Sequence, residues 1–166
     1  MNKGLYFTLL FFFLLFLQVL VLNNILFLGY INPYIYIAFV FFYPLNEKRF
    51  LFLFLCFLLG LSVDFFTDSG GINAFATLFI GYFRLFFVRV FFRKTPADYS
   101  FFKPQSESFG KFFNYVVTLT VIHHFLLFSF ANFSFQNSTQ VLLNTLFSSI
   151  FTLILFFLGT YIFTKN

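Results

Sequence analysis

The sequence predicts an all-α, polytopic membrane protein with six transmembrane helices. Three observations carry that prediction. First, 61% of the 166 residues are hydrophobic and only 9% are charged, against roughly 25% charged in a soluble domain. A soluble globule of this composition would be coated in Phe and Leu and would aggregate. Second, apolar runs recur at about the 20-residue length of a bilayer crossing. Third, Lys and Arg gather in alternate connections between those runs. The 37 Phe residues fit lipid-facing positions, which accept any large apolar side chain.

The first run opens MNKGLYFTLL. It is long and no A-x-A-like site follows it, so it reads as an uncleaved span rather than a signal peptide. Residues 5–45 are continuously apolar except for Asn23, Asn24, Gly29, Asn32 and Pro33. That is too long for one crossing and just long enough for two short ones. We therefore expect spans at 5–22 and 32–45, with a turn between Asn23 and Pro33. The second arm is short enough to cover less than a full bilayer. Further spans are expected at 50–66, 72–92, 112–130 and 141–163. The chain is then a single membrane domain over residues 1–166.

The charges test this count independently. Lys3 precedes span one, Lys48 and Arg49 lie between spans two and three, and Lys165 follows span six. Arg89, Arg93, Lys94, Lys103 and Lys111 surround the connection between spans four and five. The other three connections carry no Lys or Arg. Six spans with both termini in the cytoplasm put every loop cation on one side, as the positive-inside rule requires, whereas five spans would divide them. The expected location is a multi-pass position in the cytoplasmic (inner) membrane. The net charge of +5 is thereby assigned to the membrane face, and no nucleic-acid partner is expected. The lone Cys56 allows no intrachain disulfide and no CxxC metal site, and no cofactor is expected. The connection Arg93–Gly110 is the one segment of soluble character. It is too short for a domain, but long enough for an interfacial helix through Phe101 and Phe102.

Polar residues inside the spans mark the candidate sites. Asp64 falls at the outer end of span three, with Asp68 one turn later, and on a continued helix the two would share a face. Ser69, Gly70 and Gly71 then favour a tight turn. The carboxylates read either as ligands for an ion or substrate, or as caps accepting from backbone N–H groups at the start of span four. Arg84, within span four, is either a functional intramembrane charge or a side chain snorkelling to the headgroups. His123 and His124 are adjacent, so they point about 100° apart and cannot hold one metal from a single face. Hydrogen bonding within the bundle, near Thr120 or to a neighbouring helix, is the expectation for at least one of them. Span six carries Thr145, Ser148, Ser149, Thr152 and Gly159 at helical spacing, which suits close helix packing. Asn114 and Thr118 share a face of span five, and a modest polar cavity is conceivable between them and span six.

Gly60-Leu61-Ser62-Val63-Asp64 followed by Gly71-Ile72-Asn73-Ala74 resembles the signature region of the bacterial rod shape-determining MreD family. That family places a glycine a turn before an aspartate at one helix end, then a glycine and small residues at the start of the next. Asn32-Pro33-Tyr34 and the chain length are similar too, while Asp68 and the abundance of Phe have no counterpart in the pattern. The resemblance implies a non-enzymatic scaffold of the elongation machinery (elongasome) supporting cell shape and peptidoglycan synthesis. It implies association with a bitopic MreC-like protein and, through it, with MreB, RodA and a penicillin-binding transpeptidase. It also implies a fold similar to the six-helix substrate-binding components of energy-coupling-factor vitamin transporters, so a substrate-binding transport component is the competing expectation. An enzyme ranks third, because Asp64/Asp68 and His123/His124 are the only candidate catalytic pairs. On these readings Gly60, Asp64, Gly71, Asn73, Arg84, Thr145, Ser149 and Thr152 are the structural or interaction candidates. Asp64→Ala is expected to weaken folding or assembly, and Arg84→Leu to be tolerated if Arg84 snorkels.

Overall fold

The computed structural model describes residues 3–25, 31–99, 103–132 and 138–164. The described residues are helical with connecting turns, and among them five helices are long and apolar enough to cross a membrane. The multi-pass membrane character expected from composition is therefore present in the fold. Helix α1 (Lys3–Phe16) widens into a π turn over Leu17–Val21 and ends in a 3-10 turn at Leu22–Asn24. The other long helices are α3 (Arg49–Thr67), α4 (Ile72–Phe92), α5 (Phe109–Ala131) and α6 (Ser138–Thr164). Each of α3 to α6 packs on the next. Residues 26–30, in the expected turn after Asn23, lie outside the described residues, as do Phe101, Phe102 and Lys165.

The expected second span, 32–45, is only partly helical. A 3-10 turn at Ile35–Ile37 leads into α2, Ala38–Phe42. Pro44 sets the end of this helix. A residue before proline is pushed out of the helical region, and Tyr43, just before Pro44, has φ −64° and ψ 136°. Pro33 disfavours helix at Asn32 by the same rule, so no helix runs into the segment from before it. This short segment is nevertheless deeply buried, with Tyr36 of the 3-10 turn and Phe39 and Val40 of α2 all at 0% exposure. It contacts α1 and α4, while its 3-10 turn touches α6.

Contacts with α4 fix the direction of this segment. The Tyr36 hydroxyl bonds Asn73 at the start of α4, and the Tyr43 carbonyl is reached by Arg84, about three turns further on. The segment therefore runs beside α4 in the same sense, with extended flanks supplying the length that its helix lacks. At the basic end, the connection after α4 folds beneath it. Gln105 Nε2 donates to the Phe41 carbonyl at 2.9 Å, and Tyr99 and Pro104 are buried. Thr95 and Asp98 hold the start of that connection, with the Thr95 N–H and hydroxyl both donating to the Asp98 carboxylate. These bonds keep the Asp98 carboxyl below its usual range.

Candidate functional site

The residues between Gly60 and Ala74 form one joint between α3 and α4. The α3 helix ends at Thr67, and Asp68 turns left-handed with φ 52°, a conformation Asp tolerates better than most residues. Gly70 and Gly71 follow at φ 65° and 93°. The helix does not continue, so Asp68 is exposed and does not share a face with Asp64. Gly71 occupies the N-cap of α4 and has no side chain to cap with. Asp64 reaches across from α3 to do so. Its Oδ2 accepts the Ala74 N–H at 2.7 Å, and its Oδ1 accepts the Asn73 N–H at 2.9 Å. Oδ1 also accepts the Asn73 side-chain amide at 3.0 Å and the Ser69 hydroxyl. The carboxylate is 4% exposed, and its lone pairs are spent on the joint. A negative charge facing a helix N-terminus is favourable as well.

Asn73 extends the joint into the bundle. Its amide nitrogen donates to Asp64 and Ser69, so its Oδ1 must accept, and the Tyr36 hydroxyl lies 3.0 Å away. Tyr36 has one proton to give. The Tyr36 oxygen must then accept from His123 Nε2, also at 3.0 Å, which makes His123 the Nε2–H tautomer. His124 takes the opposite form. Its Nδ1 lies 2.8 Å from the Thr120 carbonyl and so carries the proton. Its Nε2 accepts from the Thr152 hydroxyl at 3.0 Å, and Thr152 Oγ1 accepts the Tyr34 N–H at 3.0 Å. The two adjacent histidines thus tie α5 to different neighbours, His123 to the second segment and His124 to α6. No group of three metal-ligand side chains occurs among the described residues.

The packing stripe of α6 divides. Thr145, Ser148, Ser149 and Thr152 are buried, and Thr145 bonds back to the Val141 carbonyl. Gly159 faces open space, so it is not a point of close approach. Asn114 is exposed and Thr118 half-buried. The buried polar groups of α5 are the histidines and Thr120 instead.

Arg84 does not snorkel. It is 1% exposed, with its guanidinium 4.8 Å from the Phe52 ring centroid and donating to the Tyr43 carbonyl. The Tyr115 hydroxyl lies beside it. Among the described residues no carboxylate pairs with it, and its Nε has no acceptor. Arg84→Leu therefore strips the Tyr43 carbonyl of its donor, and the tolerance that snorkelling would give is withdrawn. Burying a charge is costly unless it is well paired, which ranks the substitutions. Arg84→Met, apolar and of similar length, is expected to leave more folded protein than Arg84→Lys. Lysine keeps the charge but loses the planar fork and ring stacking. Resistance to unfolding by SDS would read the order, and a more stable lysine variant would show that the charge itself is needed.

No protein-family model, curated protein or solved structure matches the chain.

Proposed function

We propose that this protein is a non-enzymatic membrane scaffold of the MreD type, acting in bacterial cell-wall elongation with an MreC-like single-span partner. The observation that supports it most is the Gly60–Ala74 joint. The residues that carry the family resemblance make one structural unit, in which Gly60 permits close approach and Asp64 caps α4. Asp64 and His124, two of the candidate acid–base groups, are committed to backbone and side-chain partners within the bundle. In this reading the protein sits in the inner membrane with its basic end in the cytoplasm.

One feature favours a substrate-binding transport component as the second reading. Gln18, 0% exposed, donates to the Asn23 Oδ1 and the Pro33 carbonyl. Gln18 Oε1, Asn23 Nδ2 and Asn32 Oδ1 are buried without partners. Three carboxamides offering two acceptors and one donor, beside a π turn of the kind common at functional sites, suit a small neutral polar ligand. Affinity purification of the tagged protein in mild detergent, with mass spectrometry of what accompanies it, separates the readings. An MreC-like protein with wall-synthesis enzymes supports the scaffold. ATPase subunits with a membrane coupling protein overturn it in favour of transport.

A further inference from the structure

The basic end of the bundle is not evenly neutralised. Both ion pairs among the described residues converge on Glu107, with Lys94 at 3.9 Å and Lys111 at 3.5 Å. They serve the flank where α4 connects to α5. On the α3–α4 flank, Lys48, Arg49, Arg89 and Arg93 are exposed and none has an acidic partner among the described residues. These cations are not scattered. Tyr82, Phe86 and Arg89 fall within about 60° of one another around the α4 axis, and Arg93 ends that helix. Arg49 joins the same stripe from α3, its guanidinium 4.9 Å from the Tyr82 ring centroid. Tyr82 and Phe86 are 54% and 58% exposed, and Phe50 beside Arg49 is 83% exposed. The flank thus carries a strip of exposed aromatic surface, with Arg89 and Arg93 at its basic end and the Arg49 guanidinium on Tyr82, where it also donates to the Tyr82 carbonyl.

We infer that this flank binds an anionic phospholipid, with Arg49, Arg89 and Arg93 on the phosphate and Tyr82 and Phe86 against the acyl chains. The charge is complementary, and guanidinium is the side chain best shaped to hold phosphate through paired N–H groups. A soluble acidic partner would gain nothing from the aromatic strip, and a neutral lipid nothing from the arginines. The site stands apart from the Gly60–Ala74 joint and does not depend on the scaffold reading.

The full-length protein, reconstituted with equal phosphatidylglycerol and phosphatidylcholine and released into detergent, tests this by native mass spectrometry of retained lipid. Wild type is expected to retain phosphatidylglycerol preferentially. The variant R49Q/R89Q/R93Q is expected to lose the preference, by roughly fivefold for each arginine, while K94Q/K111Q keeps it. Arg49, Arg89, Arg93 and Lys111 are exposed and Lys94 is half-buried at the surface, so gel filtration and circular dichroism of the variants should match wild type. Inorganic phosphate at millimolar concentration is expected to leave the lipid bound. Its displacement of the lipid would show a site for free phosphate and overturn the lipid assignment. Equal retention of the two lipids by wild type would overturn the inference, as would equal losses in the two variants.

Discussion

Asp64→Ala is expected to destabilise the protein by at least ~3 kcal/mol. The side chain serves as the cap of a helix whose own N-cap is glycine, and losing a cap costs typically ~1 kcal/mol. The larger cost lies in what is left behind. The Asn73 and Ala74 N–H groups, the Asn73 amide and the Ser69 hydroxyl all lose their acceptor together. Each buried donor left unpaired costs about 1–3 kcal/mol, and little water reaches this position to compensate. Asp64→Asn should recover only part of the loss, because it turns one of the two accepting oxygens into an NH₂ group facing N–H donors. Reversible unfolding in mixed micelles would measure both variants. A cost below about 1 kcal/mol for Asp64→Ala would mean the cap is dispensable. If the scaffold reading holds, assembled complex should fall with stability. Normal assembly by a destabilised Asp64→Ala protein would separate the joint from the partner surface.

Much of this architecture is legible in the sequence, for identifiable reasons. The limits of α3 and α4 follow from a run of apolar residues ended by Asp68, Gly70 and Gly71, and the structure places them within a residue of the expectation. The role of Asp64 as a cap is one of the two readings that its spacing allowed. The end of α2 was within reach too, since Pro44 keeps Tyr43 out of the helical region. Hydropathy alone counts 32–45 as a span because apolarity carries no information about the backbone restriction that proline imposes. Three-dimensional facts were not legible. Arg84 has the sequence position of a snorkelling side chain, and only the return of the second segment along α4 brings the Tyr43 carbonyl to it. His123 and His124 look like a pair, yet their partners come from different elements, Tyr36 and Thr152. Polar pairing across a bundle depends on which helices are neighbours, and periodicity within one helix cannot report that.

Gly60→Ala is expected to disrupt the same joint by a different route, and the two routes should prove to be one. A Cβ on Gly60 would lie 2.6 Å from the Ala74 Cα, 2.6 Å from the Asn73 carbonyl oxygen and 2.7 Å from the Ala74 nitrogen. All three are backbone atoms, so no side chain can swing aside, and α3 must draw away from α4. Overpacking of this kind typically costs 1–3 kcal/mol. Asp64 lies one turn further along α3, and its bonds reach the N–H groups of the same two residues, Asn73 and Ala74. Moving the helices apart stretches those bonds, so the methyl group weakens the cap as well as the contact. Coupled sites of this kind depart from additivity by about 0.5–3 kcal/mol. The double variant Gly60→Ala/Asp64→Ala should therefore be less destabilised than the sum of the two single variants. Strict additivity in a double-mutant cycle would show that the close approach and the cap are independent, and that the glycine serves packing alone.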